Sequence, residues 1–313
     1  MSRAPRADVA GARTDVAGAR TDAGQAPDEP IRLVVSDLDG TLLRGDLTVS
    51  PRVRQAIDAT QARGVSVLVA SGRMYRSIVP WAQELGLGGP VIAYQGAYVR
   101  ELPGRTTGPQ PPQAAGALLR HRPLDAAVAR EAVAWCLGRG LDPHANIDDQ
   151  LVMSEDDRNA ADYERSSGIE ARFVPDLMAE LERWPTKILA AGASGRPEAL
   201  LDEVRATFRG RAQVTVSHPE YLEFTAPGVT KGQALRWVAR RLRVPIRQVL
   251  AIGDQYNDLE MLAAAGHGVA MGQSPLRVRA AARYVTGSID EDGAARALEA
   301  LVLGQAELPE GVA

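Results

Sequence analysis

The sequence predicts an α/β protein in which a doubly wound parallel sheet is interrupted by an inserted α+β domain. Three observations predict it. Residues 31–94 alternate short β-branched apolar runs with amphipathic helical stretches. The segment from there to about residue 218 mixes helical and strand patterns without that alternation. A buried-strand run of the first kind then returns at 249–252. At 313 residues, 45% hydrophobic and 24% charged, the chain has material for two domains.

Residues 1–30 carry a seven-residue near-repeat, Asp8-Val9-Ala10-Gly11-Ala12-Arg13-Thr14 followed by Asp15-Val16-Ala17-Gly18-Ala19-Arg20-Thr21. Ala, Gly, Asp and Arg at this density bury too little apolar surface to offset chain entropy, so a disordered tail is expected. Order begins at Ile31-Arg32-Leu33-Val34-Val35, which suits a strand buried on both faces. Ser50 as N-cap and Pro51 at the first helical position open a helix with the stripe Val53, Ala56 and Ile57, which Gly64 ends. A strand over 65–70, a helix over about 75–85 and a strand over 91–94 complete β-α-β-α-β. A Gly/Pro-rich loop at 103–112 opens the different segment, with helices expected over 125–139, 159–167 and 197–208 and strands over 187–191 and 213–217. Thr230 then caps a helix bearing Leu235, Val238 and Leu242, and 249–252 resume the parallel sheet. The expected organisation is a tail of 1–30, a discontinuous Rossmann-like core of 31–97 and 228–305, and an inserted α+β cap domain of 98–227.

A formal charge of −3 offers no basic surface to nucleic acid or anionic lipid. The single cysteine, Cys136, excludes an intrachain disulfide framework and suits a helix that enters a core. No apolar run reaches the roughly 18 residues of a membrane span, and the N-terminus lacks the apolar block of a secretory signal. A soluble, cytoplasmic protein with a small-molecule partner is expected. His121, His144, His218 and His267 show no pairing with one another or with Cys136, which argues against zinc. Asp148-Asp149 and Glu155-Asp156-Asp157 read as solvated surface, and Trp81, Trp135, Trp184 and Trp237 as packing residues.

Ligands of parallel α/β sheets bind beyond the carboxyl ends of the strands. Four predicted strands end in polar residues: Asp37 and Asp39, Ser71-Gly72-Arg73, Gln95-Gly96, and Gly253-Asp254 with Asn257-Asp258. Lys231 starts the helix before the last of these strands. Clustered carboxylates repel one another unless a cation neutralises them, and an all-oxygen set favours magnesium. A phosphate monoester completes such a site. Ser71 offers a hydroxyl, Gly72 an amide, Lys231 a compact positive charge and Gly40-Thr41 further N–H groups, and Asn257 is grouped with these phosphate-binding residues. Only an aspartate here suits covalent catalysis, as Asp37 accepting a phosphoryl group while Asp39 serves as acid and then base. Arg73 reads equally well as a solvated or ion-paired side chain, and Asp254 and Asp258 as caps of the helix running into Leu259.

Asp37-Leu38-Asp39-Gly40-Thr41-Leu42 resembles motif I of the haloacid dehalogenase superfamily, Ala70-Ser71-Gly72-Arg73 motif II, Lys231-Gly232 motif III and Gly253-Asp254-Gln255-Tyr256-Asn257-Asp258 motif IV. Order and separation are similar to the Cof-type subfamily of class IIB, with a C2-type cap, over about residues 31–303. The resemblance implies magnesium held by the Asp37 carboxylate, the Asp39 main-chain carbonyl and Asp254, with Asp258 or Asn257 close by. It implies hydrolysis of a small phosphorylated metabolite, a sugar phosphate or phosphorylated cofactor, through an aspartyl-phosphate. A sugar phosphomutase and a non-catalytic phosphometabolite-binding protein are the alternative readings. Gln95, Gln273 and Ile289 each replace an asparagine common in the family.

Overall fold

The computed structural model describes residues 29–103, 116–155, 164–165, 168–306 and 308. The repeat-bearing tail, nearly all of the Gly/Pro-rich loop and most of the helix expected over 159–167 lie outside them.

The chain enters the parallel sheet through β1 (Leu33–Ser36), α1 (Pro51–Ala62), β2 (Ser66–Val69), α2 (Tyr75–Glu84) and β3 (Pro90–Ala93). All four residues of β1 are buried, as a continuous apolar run on both faces requires. Ser50 caps α1 by accepting from the Val53 amide at 3.2 Å, with Pro51 in the first turn. Two antiparallel strands follow, β4 (Tyr98–Glu101) and β5 (Leu118–His121), and both belong to the sheet of β3.

Next come α3 (Ala126–Leu137), β6 (Asp142–Ile147), β7 (Gln150–Ser154), β8 (Arg172–Val174), α4 (Leu177–Glu180), β9 (Lys187–Ala191), α5 (Arg196–Ala199), α6 (Leu201–Thr207), β10 (Gln213–His218) and β11 (Tyr221–Thr225). The chain returns through α7 (Lys231–Arg241), β12 (Val249–Gly253), α8 (Leu259–Ala264), β13 (His267–Ala270), α9 (Leu276–Ala281), β14 (Tyr284–Val285) and α10 (Gly293–Leu301).

The first sheet has the order β14-β13-β12-β1-β2, wholly parallel, and a bridge from Ala70 to Ile92 brings β3 against the end of β2. From β1 the chain steps outward to β2 and β3, then returns on the other side through β12, β13 and β14. The switch point therefore falls between β1 and β12, where ligands of such sheets bind. The pairing of Ser36 with Ile252 sets Asp37 opposite Gly253, next to Asp254, just beyond that point.

Residues 142–225 supply the second sheet, in the order β10-β11-β9-β6-β7-β8. Its two faces separate by the period of two. Ile188, Ala190, Leu222 and Phe224 pack with Ala129, Val133 and Cys136 of α3 and Val204 of α6 in a core of their own. Leu151, Met153 and Leu189 point the other way and join the buried cluster of the parallel domain. That second face also carries Lys187 and Glu223.

Three sequence expectations change here. The helix expected over 197–208 is two short ones, α5 and α6, meeting at Leu200. Trp184 closes a 3-10 turn in the left-handed region and stands 51% exposed, where no helical stripe orients it. Asp149 is buried rather than solvated. It occupies the β6–β7 turn, in which it and Asp148 both have positive φ, and it accepts from the Tyr75 amide at 3.1 Å, the Arg76 amide at 3.2 Å and the Tyr94 hydroxyl at 2.7 Å. Helix α2 receives no side-chain cap from its own Met74, so the hairpin caps it from another domain. Burial raises the Asp149 carboxyl above its ordinary value, against the hydrogen bond from Tyr94 and the charge of Arg76.

Among the described residues no helix is long and apolar enough to cross a membrane. Replacing Asp149 removes a cap and its hydrogen bond from the Tyr94 hydroxyl, so Asp149→Ala should cost about 2 kcal/mol in urea denaturation. Asp149→Asn keeps an acceptor for the helix amides and should cost less than the alanine variant.

Candidate active site

The loop after β1 is held down by its own apolar residues. Leu38, Leu42 and Leu43 are buried, and the Leu38 carbonyl accepts from the amides of both Leu42 and Leu43, at 2.9 and 2.7 Å. The tight turn leaves Asp37 buried and Asp39 facing the cavity, its side chain 46% exposed. Gly40 has φ +73, and a Cβ there would lie 2.6 Å from Asp254 Oδ2, so both conformation and space demand glycine. The Gly40 amide donates to the Leu43 carbonyl at 2.9 Å. It is thus committed within the turn, contrary to its expected service as a phosphate donor.

Lys231 occupies the first position of α7, with Thr230 capping the helix through the Gln233 amide at 3.1 Å. The Lys231 side chain is wholly buried, and its Nζ donates to Asp37 Oδ1 at 2.6 Å and to Asp258 Oδ1 at 2.7 Å. Asp258 Oδ2 accepts from the amides of Asp254 and Gln255, at 3.0 and 3.1 Å. Asp258 therefore organises the loop after β12, and its side chain is not the cap of α8. Asp37, Asp254 and Asp258 offer carboxylate oxygens that all lie within 4.8 Å of one another.

Three buried carboxylates thus share one ammonium. Burial first, and then the charge of Asp258, raise the Asp37 carboxyl well above its ordinary value against the pull of Lys231. Burial and Asp258 likewise push Asp254 up to about 6, again opposed by Lys231. Burial disfavours the Lys231 charge, but Asp258 and Asp37 more than offset it and hold the ammonium above the usual lysine value. The cluster carries more negative charge than it neutralises.

Ser71 is buried beyond β2, and its Oγ accepts from the Arg73 amide at 3.1 Å. Arg73 clasps Asp39 through two bonds, Nε to Oδ2 at 2.7 Å and Nη2 to Oδ1 at 2.6 Å. Sequence reasoning left this residue outside the site. The signal was its position just past the end of β2, the strand that pairs with the one delivering Asp39. Asn257 donates to Gln95 Oε1 at 3.1 Å.

The three family departures all have partners. Gln95 joins Asn257 to Glu223 of β11, with 3.0 Å from its Nε2 to Glu223 Oε2. Gln273 donates to the Gly40 carbonyl at 2.6 Å and accepts from the Ile289 amide at 3.0 Å. The amide of residue 289 thus serves the motif I loop through Gln273 without needing its own side chain.

A cavity of about 600 Å³ opens above these groups. Asp37, Asp39, Ser71, Gly72 and Asn257 line its parallel-sheet end, and Lys187, Leu189, His218, Tyr221 and Glu223 line the side formed by the second sheet. The structure so brings together Asp37, Asp39, Ser71, Gly72, Lys231, Asp254, Asn257 and Asp258, takes the Gly40 amide out of the expected set, and adds Arg73, Lys187 and Glu223.

Comparison with known proteins matches this arrangement. The family described as haloacid dehalogenase-like hydrolase matches residues 34–298. The chain is 28% identical over 276 residues to the 5-amino-6-(5-phospho-D-ribitylamino)uracil phosphatase YitU of Bacillus subtilis, covering 85% of this chain and 96% of that one. It is 29% identical over 251 residues to the HMP-PP phosphatase of Serratia proteamaculans, covering 78% and 84%. A crystal structure of a haloacid dehalogenase-like hydrolase from Bacteroides thetaiotaomicron superposes with a TM-score of 0.74 at 28% identity, covering 86% of this chain and 99% of that one. A parallel sheet with motifs I, II and IV at strand ends and motif III opening α7, and relatives matched along most of their length, lead to one assignment: the chain belongs to the haloacid dehalogenase-like hydrolases as a Cof-type member, an enzyme of the phosphoric monoester hydrolase class.

Proposed function

We propose that this enzyme is a magnesium-dependent phosphatase acting on a small phosphorylated metabolite, with Asp37 as its nucleophile. The observation that carries the reading is the meeting of Asp37, Lys231, Asp254 and Asp258 at the switch point, with Asp39, Ser71 and Gly72 facing the same cavity. Residues 31–97 and 228–305 act as the core in this reading, and 98–227 as the inserted cap.

The donor set suits a hard divalent cation. The oxygens are carboxylates, the glycine at position 40 leaves space against Asp254, and the cluster has unbalanced negative charge. The Asp37 carboxylate, the Asp39 main-chain carbonyl and Asp254 would hold magnesium, with Asp258 behind them. When bound, the ion supplies the positive charge that lets a phosphate dianion approach the carboxylates.

The chain's own groups do the rest. Lys231 fixes one oxygen of Asp37 and leaves the other to attack phosphorus, forming an acyl phosphate as the ester oxygen leaves. Asp39, protonated once one of its oxygens is released from Arg73, gives the leaving ester oxygen a proton, then takes one from the water that cleaves the aspartyl-phosphate, restoring Asp37 and releasing inorganic phosphate. Arg73 holds both Asp39 oxygens and so orients that carboxyl toward the cavity. Ser71, Gly72 and Asn257 are placed to receive the phosphate oxygens. The second sheet covers the site, which limits bulk water and puts the choice of leaving group on the cap.

Phosphate release from p-nitrophenyl phosphate with magnesium should fall at least about 10³-fold in Asp37→Asn, since the variant lacks the carboxylate that forms the acyl phosphate. Native-like turnover in that variant would sink the reading.

Metal binding should depend on pH in a direction set by Asp254. Its folded value of about 6 lies above the unfolded value near 4. Without metal, this carboxyl therefore contributes stability at low pH that is lost as pH rises from about 4 to about 6. Magnesium takes the place of that proton. The rise in thermal midpoint on adding magnesium should be larger at about pH 7.5 than at about pH 5, and a hundredfold excess over Kd corresponds to about 2.7 kcal/mol of stabilisation. An equal or smaller rise at the higher pH would contradict the site.

A further inference from the structure

We infer that the buried Lys187–Glu223 pair of the second sheet is a positioning device that ties the cap to the phosphate-binding loop and, through it, to Asp39. The inference rests on the phosphatase reading for its catalytic consequence and on contacts alone for its structural one.

Lys187 Nζ lies 2.8 Å from Glu223 Oε1, and their side chains are only 2% and 4% exposed. A charge pair so deep costs desolvation that the attraction alone seldom returns, so its other bonds are informative. Each member has a partner in the parallel domain. Lys187 Nζ donates to the Gly72 carbonyl at 3.1 Å, and Glu223 Oε2 accepts from Gln95 Nε2 at 3.0 Å. Gln95 in turn accepts from Asn257 at 3.1 Å. The pair thus joins the loops that follow β2, β3 and β12, three of the four strand ends that build the site.

Gln95 is aimed by an uncommon backbone, since Tyr94 and Gln95 have φ of 51 and 58. Its amide also sits where a side chain at residue 72 would go: a Cβ on Gly72 would lie 2.4 Å from Gln95 Nε2. Glycine at position 72 is required to admit the link to the cap.

The Gly72 carbonyl and the Arg73 amide belong to one rigid peptide plane. Lys187 holds the carbonyl side of that plane, and Ser71 Oγ accepts from the amide side at 3.1 Å. The next atoms along the chain carry the Arg73 guanidinium to both oxygens of Asp39. Seating the cap therefore orients one peptide that places both the Ser71 hydroxyl and, through Arg73, the acid–base carboxyl. Lys187 and Glu223 need not touch the reacting atoms to do this.

The test uses the full chain with p-nitrophenyl phosphate and magnesium, together with amide hydrogen exchange on the same variants. Lys187→Met should lower kcat about tenfold or more while KM changes less than about threefold, as positioning requires. Exchange in the segment 71–75 should accelerate about tenfold, with β1 unchanged. Lys187→Met/Glu223→Met removes both charges, so a pair that served only charge balance would regain activity there. The inference expects the double variant to stay as slow as the single one. Native-like exchange at 71–75, recovery of kcat in the double variant, or a kcat within about threefold of native in Lys187→Met overturns it. If the native chain turns over no p-nitrophenyl phosphate, the phosphatase reading fails and exchange alone judges the Lys187 contact.

Discussion

The Lys231 ammonium is the contact on which the site depends. It is wholly buried, bonded to Asp37 on one side and Asp258 on the other, and it comes from a helix that neither aspartate belongs to. Without it, three carboxylates would face one another with no compensating charge in the protein. With it, Asp37 keeps one oxygen anchored and Asp258 keeps its other oxygen on the amides of Asp254 and Gln255, so the loop after β12 takes a single shape. The helix N-terminus is an unfavourable place for a lysine, and the two aspartates offset that cost.

Strand order explains why such a cluster can form at all. Parallel pairing of β1 with β12 at the switch point sets Asp37 beside Asp254, and α7 packs across α8 to bring Lys231 under both. The leucines of the motif I loop contribute as anchors: Leu38, Leu42 and Leu43 sit in the same apolar cluster as Ile252 and Met271, which ties the turn geometry to the core. Polar chemistry at the strand ends is thus held in place by apolar burial a few ångströms below it.

Much of this was legible in the sequence where the determinant was local. Ser50 and Thr230 cap helices because a hydroxyl one residue before a helix has an amide within reach, whatever the rest of the chain does. The continuous apolar runs of β1, β2, β3 and β12 announced a parallel sheet, and a parallel sheet announces where its ligands bind. Determinants that depend on packing between distant elements were not legible. Asp149 caps a helix 74 residues earlier in the chain, and Lys187 bonds a carbonyl 115 residues away. Strand β6 was missed because Pro143, His144 and Asn146 break the apolar pattern, although the sheet buries all three. Arg73 was legible as a solvated or ion-paired side chain but its partner was not, since Asp39 lies 34 residues away in the chain.

The charge pattern of the finished site has a direction. Arg73 neutralises Asp39, and Lys187 neutralises Glu223, so the ion pairs facing the cavity contribute little net charge. The imbalance is confined to Asp37, Asp254 and Asp258, against a single Lys231. A phosphate dianion arriving alone would be repelled from that corner and from no other part of the lining pairs. Under the proposed reading, a divalent cation held by these carboxylates would reverse the sign there. The neutral pairs elsewhere serve orientation rather than attraction: they hold Asp39, Gly72 and Gln95 in place. In the proposed reading, selectivity for the rest of the substrate would fall to the second-sheet face of the cavity around Leu189, His218 and Tyr221.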